Sequence, residues 1–310
     1  MSHLARSLAA LLVALGLGSS SSVAGDLYWT DKEDYRIRRG DTDGSAPPVV
    51  LLSRADGLGI PQGIGLDLAA GKMYWADSLH DKIQRANLDG SDVQDLVTTG
   101  MTFPADLELD LDGRRIYWTD TSQGEIRCAD LDGDNVQVLY SGLDVPYYFE
   151  LDTAGGNIYW AENDDEVIHI SRMDGSGHVG SLDVGLDRIR DVGLDLADGM
   201  IYWGERTSST VLRCHLDGTG RDVLFDSGDG LDRPHGMTLD IPSGMIYWTD
   251  TRTYSINRGA MDGSGSVKQL YTGLVSPWDV EFAVPEPCSL VLVAAALAPV
   301  LARRRRSRPS

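Results

Sequence analysis

Hydrophobic and polar residues alternate in short runs along this chain, and between residues 26 and 284 no stretch keeps the apolar stripe of a helix. One stretch shows the arrangement. Gly63-Ile64-Gly65-Leu66-Asp67 alternates and ends in Asp; after a turn comes Met73-Tyr74-Trp75-Ala76-Asp77. Lys82-Ile83-Gln84-Arg85-Ala86 follows, closed by Leu88-Asp89-Gly90, and then Val93 to Val97. These are four strand-length segments punctuated by Gly or Asp turns. The same order recurs. Tyr-Trp stands at Tyr28-Trp29, Tyr74-Trp75, Tyr117-Trp118, Tyr159-Trp160, Tyr202-Trp203 and Tyr247-Trp248, at spacings of 46, 43, 42, 43 and 45 residues. An Asp-Gly turn follows in every unit, at Asp43, Asp89, Asp132, Asp174, Asp217 and Asp262. Asp-Gly tolerates the positive φ of a tight reversal, so it predicts the joint between antiparallel strands.

A fixed period of this size predicts a repeat array or a propeller. The chain ends choose between them. The first unit begins at its second strand, Leu27 to Asp31, while Trp278-Asp279-Val280-Glu281-Phe282 matches a first strand with nothing after it. Together the two fragments make one blade. The expected fold is therefore all-β: a six-bladed β-propeller over 26–284, four antiparallel strands per blade, closed by pairing the C-terminal strand with the N-terminal blade.

Charge and composition then remove some functions. The formal charge is −20 over 310 residues. Residues 1–25 hold one Arg and residues 285–310 hold five Arg and one Glu, so the segment between carries 21 basic and 46 acidic residues, a net of −25. Such a surface repels phosphate backbones and excludes nucleic acid as a partner. Three cysteines do not make a disulfide scaffold. Cys128 and Cys214 fall a whole blade apart and are expected as free thiols.

Both termini read as addresses. Residues 1–24 run from Arg6 through an apolar stretch, Leu8 to Leu17, to the small-residue site Ser22-Val23-Ala24, the three-part build of a secretory signal peptide. Residues 285–310 hold Pro285-Glu286-Pro287-Cys288, an uncharged stretch from Ser289 to Ala302, and Arg303 to Arg306. That stretch is short of the roughly 20 residues of a stable span, and the arginines set its orientation. The tail resembles the PEP-CTERM sorting signal of bacterial exported proteins. The resemblance implies transient membrane insertion, cleavage by an exosortase-type enzyme, and a mature protein that is secreted or delivered to the cell surface or extracellular matrix.

Leu27-Tyr28-Trp29-Thr30-Asp31, Ile116 to Asp120 and Ile246 to Asp250 are full copies of a Tyr-Trp-Thr-Asp motif, and Ala76-Asp77, Ala161-Glu162 and Gly204-Glu205 close relaxed copies. The repeat resembles the six-bladed YWTD β-propellers of the LDL-receptor type, over essentially the whole of 26–284. EGF-like modules and cysteine-rich ligand repeats do not accompany it. The recurring Tyr, Trp and Asp are read as architecture, with the aromatics packed between blades. Arg39, Arg85, Arg213 and Arg258, four residues before the Asp-Gly aspartate, belong to the same framework. Arg39-Gly40-Asp41 spells an adhesion tripeptide but occupies a repeat position, and Asp130 to Asn135 lacks the final Glu of a calcium loop. Nucleophile elbows, phosphate loops and paired Cys-x-x-Cys motifs are absent from the sequence.

Variation is concentrated at one position. Aligned first strands place a proline at Pro61, Pro104, Pro146, Pro234 and Pro277, with Ile189 as the exception, and the next residue differs in each blade: Gln62, Ala105, Tyr147, Arg190, His235 and Trp278. Loops leading into first strands converge on a propeller's channel mouth, so these side chains, with Tyr148 and Arg188, are expected to ring it as a binding surface. Deeper in the same strands stand Glu108, Glu150 and Glu281, with Asp106 and Asp279 two residues before two of them. Two arrangements stay open for these carboxylates: gathered at the axis around Ca²⁺, or paired with arginines of neighbouring blades or with channel water, the second being the expectation. No other cofactor is expected.

Two functions follow. The first is a non-catalytic surface propeller that binds an envelope protein or exopolysaccharide through its channel mouth. The alternative is a metal-dependent hydrolase of the gluconolactonase type, with Glu108, Glu150, Glu281 and His235 around an axial metal. The first is preferred, because the sequence assembles no catalytic set and a fold alone does not license chemistry.

Overall fold

The computed structural model describes residues 25–283, apart from 163–166, 184, 186 and 187. The segments expected to be a leader and a sorting tail, the latter with Pro285, Glu286, Pro287 and Cys288, lie outside the described residues.

Six four-stranded antiparallel sheets make up the fold. Blade 1 contains β1 (Asp26–Asp31), β2 (Arg36–Asp41) and β3 (Val49–Ser53). Blade 2 is β4 (Pro61–Asp67), β5 (Lys72–Asp77), β6 (Lys82–Asn87) and β7 (Gln94–Val97). Blade 3 is β8 (Pro104–Asp110), β9 (Arg115–Asp120), β10 (Glu125–Asp130) and β11 (Gln137–Ser141). Blade 4 is β12 (Pro146–Asp152), β13 (Asn157–Glu162), β14 (Val167–Arg172) and β15 (His178–Asp183). Blade 5 is β16 (Ile189–Asp195), β17 (Met200–Glu205), β18 (Thr210–His215) and β19 (Asp222–Phe225). Blade 6 is β20 (Pro234–Asp240), β21 (Met245–Asp250), β22 (Ser255–Ala260) and β23 (Lys268–Tyr271). The last strand, β24 (Pro277–Ala283), pairs with β1 and completes blade 1, with Leu27 opposite Phe282. Closure occurs as the split first unit predicts.

First strands are innermost. β4 packs on β8, β8 on β12, β12 on β16, β16 on β20, β20 on β24 and β24 on β4, which closes the circle.

The Tyr-Trp pair explains why blades stack. Adjacent residues of a strand face opposite sides, so each pair serves two interfaces. Tyr28 packs in one cluster with Trp75 of the next blade, Tyr74 with Trp118, and Tyr117 with Trp160. Tyr159 joins Trp203, Tyr202 joins Trp248, and Tyr247 joins Trp29. All six tryptophans are at most 1% exposed. Truncating one of them to Ala costs about 3–5 kcal/mol.

The recurring arginines bind neighbours in the same sense. Arg85 donates to the Leu131 carbonyl (3.1 Å), Arg213 to Met261 (2.9 Å) and Arg258 to Thr42 (3.0 Å), each the residue before the next blade's Asp-Gly turn. The turn glycines adopt φ of +66 to +90°, as at Gly44 and Gly133. Arg39-Gly40-Asp41 lies within the regular strand β2. Cys128 and Cys214 are buried free thiols.

Candidate functional site

The aspartate that ends the motif holds the loop leading into a first strand. Asp31 accepts from the N–H groups of Val275 (3.2 Å) and Ser276 (2.9 Å), and Asp77 from Gly59 (2.8 Å) and Ile60 (3.1 Å). The residue after the motif then clasps the same loop. The Lys32 N–H donates to the Ser276 carbonyl (3.0 Å), Arg206 to Arg188 (3.2 Å) and Thr251 to Arg233 (3.1 Å). The motif threonine reaches across a blade boundary. Thr30 donates to the carbonyl of Gln62 (2.7 Å), Thr119 to that of Tyr147 (3.1 Å) and Thr249 to that of Trp278 (2.9 Å). Full copies of the motif therefore fix the backbone at the position predicted to ring the channel.

At that position every first strand slips register against its second strand. Such irregularities re-aim side chains. Val145, Arg188 and Arg233, at the ends of their loops, take φ of +56°, +54° and +90°, left-handed conformations unusual for side chains of this size.

These local constraints bring Tyr147, Tyr148, Arg190, His235 and Trp278 together from four successive blades. Ring centres lie 4.8 Å apart for Tyr147 and Tyr148, 6.2 Å for Tyr147 and Trp278, 5.3 Å for Tyr148 and His235, and 3.8 Å for His235 and Trp278. The Arg190 guanidinium stands 5.7 Å from the Tyr147 ring and 5.9 Å from the Tyr148 ring. Lys32 places its Nζ 3.8 Å from the centre of Trp278. Burial, followed by the Arg190 charge, pushes the His235 pKa well below its usual value. A neutral imidazole fits the hydrogen bonds: Nδ1 donates to the Trp278 carbonyl (3.0 Å), leaving Nε2 to accept from the Tyr148 hydroxyl (2.8 Å). Burial raises the pKa of both tyrosines, so they stay protonated donors.

One expectation needs correction. An exposed ring of six is not found. Gln62 is fully buried and its Nε2 donates to Ser78 of its own blade (2.8 Å), while Ala105 is buried too. Tyr148, His235 and Arg190 are 3, 4 and 5% exposed, so they support the mouth rather than face outward. Tyr147 and Trp278 are half-buried and Arg188 is exposed. The register slip turns side chains inward that a regular strand would present. The sequence reading also passed over Lys32 and Arg206. Their signal was a basic residue directly after the motif in two blades.

The axial glutamates face a cavity rather than neighbouring arginines. Among the described residues no arginine or lysine pairs with Glu108, Glu150 or Glu281. They line a cavity of about 180 Å³ with Gly193, Thr238 and Met237. Above them, Asp106 accepts from Phe149 N–H (3.0 Å), Asp191 from Met237 N–H and Asp279 from Ile64 N–H (2.8 Å), each the first strand of the next blade. Each also accepts from the residue that follows it. These aspartates alternate with Gly63, Tyr148 and Gly236, and a Cβ on Gly236 would stand 2.5 Å from the Asp279 Cα. Asp191 escaped the sequence reading because Gly193, not Glu, follows it. Burial raises Asp106 and Glu281 to about 7 and Glu150 to about 8. It raises Glu108, Asp191 and Asp279 well above the carboxylate range, with neighbouring carboxyls adding to it. The donor set does not fit an axial metal: the aspartates are committed to backbone N–H groups, and no three His, Cys, Asp or Glu among the described residues form a metal-holding group.

Residues 71–100, within blade 2, match the family described as low-density lipoprotein receptor repeat class B. No curated protein matches the chain. Among solved structures, the fold is similar to a chain of a nidogen–laminin complex, with a TM-score of 0.73 and 22% identity over 84% of this chain and 98% of that one. Virginiamycin B lyase from Staphylococcus aureus is a more distant match, with a TM-score of 0.53 and 17% identity over 67% of this chain and 69% of that one. At these identities the likeness establishes the propeller fold.

Proposed function

We propose that this chain is an exported, non-catalytic propeller that binds a protein or glycan through the mouth of its central channel. The observation that carries the reading is the convergence of Tyr147, Arg190, His235 and Trp278 from four blades onto one aromatic and cationic spot. Aromatic residues and arginine dominate binding energy at interfaces, and here rigid strands hold them in place. A scaffold of the same fold occurs in a nidogen–laminin complex, which supports a binding role. The signal-peptide pattern of 1–24 and the tail at 285–310 support export, transient anchoring through Ser289 to Ala302, and release to the envelope or matrix. An envelope protein or exopolysaccharide is the partner such a location offers.

A metal-dependent hydrolase needs an open ligand set and a base at the axis. Among the described residues no three His, Cys, Asp or Glu are grouped to hold a metal, and His235 is hydrogen-bonded between Tyr148 and Trp278.

The test is retention of envelope fractions from the producing cells by the immobilised protein, run beside a metal analysis and a lactone and ester hydrolysis screen. The reading expects a component retained by wild type and lost from a Tyr147→Ala, Trp278→Ala protein, without hydrolysis. Stoichiometric metal together with turnover would replace it with the enzyme.

A further inference from the structure

The channel has a second end. Each first strand starts at the mouth and runs to the opposite face, so Glu281 stands three residues, about 10 Å, beyond Trp278. Glu108, Glu150 and Glu281 come from blades 3, 4 and 1 and line the cavity of about 180 Å³ there. A water needs about 10–15 Å³ of such space, so the cavity admits a small organic group. Leu194, Met237 and Leu239 give it an apolar wall, and Ile241, 43% exposed, stands at its rim. That rim residue recurs. Ile241 directly follows the aspartate that ends its first strand, and Leu111 and Leu196, 42 and 41% exposed, hold the same place after Asp110 and Asp195. Half-buried Leu68 follows Asp67. Turns are normally built from Gly, Pro, Asn, Asp or Ser, yet four blades set a large aliphatic side chain around the axis where the strands reach water.

From the carboxyl-lined cavity and its aliphatic collar together, we infer that this end of the channel is a second binding site, which takes a primary ammonium carried on an alkyl stem. Glu108 accepts no hydrogen bond from any described residue, and Glu150 accepts only from the Leu151 N–H (2.8 Å). The cavity therefore offers acceptors without donors. An ammonium brings three N–H donors and a full charge. Its stem lies along Leu194, Leu239 and Ile241, as lysine stems lie along apolar surface. A metal ion is a poorer match, because the three glutamates share the cavity without being grouped closely enough to hold one.

The approach to the cavity also favours a cation. In blades 2 to 6 the turns that follow the first strands, at 67–72, 110–115, 152–157, 195–200 and 240–245, hold seven aspartates against Lys72, Arg114 and Arg115. Lys72 is engaged by Asn87 (2.6 Å) and Asp92 (3.2 Å), Arg115 donates to the Cys128 Sγ (2.9 Å), and Arg114 is exposed. Such a surface draws positive charge toward the axis. Inside, burial and then the charges of Glu150, Asp106, Glu281 and Asp191 raise the Glu108 pKa. An ammonium among these carboxyls supplies the missing counter-charge, so its binding releases protons at neutral pH. A free alkylamine and the lysine side chain of a partner offer the same chemistry.

Calorimetric titration of the purified protein with pentylammonium, methylammonium, pentanol, acetyl-lysine amide and Ca²⁺ tests this, at neutral pH in two buffers of different ionisation enthalpy. Pentylammonium should bind saturably and release protons. Methylammonium, which lacks the stem, should bind at least about tenfold more weakly, and pentanol and Ca²⁺ should not bind. Acetyl-lysine amide binding as tightly as pentylammonium upholds the site with a partner's lysine as its ligand, and its exclusion upholds the site with a free amine. Glu108→Gln with Glu150→Gln should weaken pentylammonium by at least about tenfold with an unchanged circular dichroism spectrum, while a Tyr147→Ala, Trp278→Ala protein should bind it as wild type does. No saturable binding of pentylammonium, equal binding of pentanol, or an unaffected glutamine variant overturns the inference. Loss confined to the mouth variant places the cation on the Tyr147 and Trp278 rings and overturns it too, and Ca²⁺ competing for the cavity overturns the organic cation.

Discussion

The hydroxyl of Thr249 donates to the carbonyl oxygen of Trp278, 2.9 Å away across a blade boundary, and accepts from the Gly236 N–H at 2.9 Å. A residue of the repeated motif thus fixes a residue of the unique site. The same threonine in blade 1 fixes Gln62, which does not join the aromatic cluster. The Thr30 hydroxyl also accepts from the Asp279 N–H (3.1 Å), so it holds the strand that carries Trp278 one residue further on.

Replacing Thr249 by Val keeps the volume and removes both hydrogen bonds, leaving the buried Gly236 N–H unpaired. The expected loss is about 1–3 kcal/mol, seen as a melting temperature lower by about 2–9 °C. Thr30→Val, which also frees the Asp279 N–H beside Trp278 (3.1 Å), should cost a similar amount of stability, and Thr249→Val, which frees the Trp278 carbonyl itself, should weaken mouth binding more. Thermal melts and binding isotherms on both variants check this. Equal effects of the two on binding would separate the motif from the site.

Removing 275–284 takes away β24, leaves the β1 edge open and exposes Leu27 and Trp29, which pack against Val280 and Phe282. An open apolar edge invites association. The truncated protein should aggregate or melt far below wild type, as light scattering and calorimetry would read. An unchanged melting temperature contradicts ring closure.

Stability should fall as pH rises through neutrality. Asp106, Glu281 and Glu150, at about 7, 7 and 8 in the fold, lie above the values of about 4 expected in the unfolded chain. Between those limits the folded state holds more protons, so its advantage is complete below about pH 4 and lost as pH rises through 7 to 8. Glu108, Asp191 and Asp279 act in the same direction. His235, lowered by burial, opposes them on the acid side. The melting temperature should be higher near pH 6 than near pH 9, and Glu150→Gln should shrink the difference. A rise towards pH 9 would show these carboxyls to be ionised and compensated.

The fold was legible because its determinants repeat. Tyr-Trp sets two interfaces per blade, Asp-Gly marks the turns, and the split first unit announces the closure between β1 and β24. Alignment of first strands also located the position from which Tyr147, Arg190, His235 and Trp278 converge. Exposure was not legible, because the register slip around Gln62 depends on pairing between strands rather than on either sequence alone. Lys32 and Arg206 come from the second strand's exit and reach the mouth only through the loops they clasp. Asp191 was hidden by Gly193. In blade 5 the Leu239 Cγ of the next blade lies 3.0 Å from where a Gly193 Cβ would stand, so a glutamate there would have to displace Leu239.

The central claim is that recognition resides at the channel mouth. A groove of about 460 Å³ between blades 5 and 6, lined by Asp198, Tyr202, Arg213 and Asp262, offers the competing surface. The decisive measurement is an affinity comparison, for the component retained by wild type, between a Tyr147→Ala, Trp278→Ala protein and an Asp198→Ala, Asp262→Ala protein, with circular dichroism confirming that both are folded. The account predicts a loss of at least about tenfold for the mouth variant, or about 1.4 kcal/mol, and wild-type affinity for the groove variant. A folded mouth variant that binds as tightly as wild type, with the loss appearing in the groove variant, would contradict it.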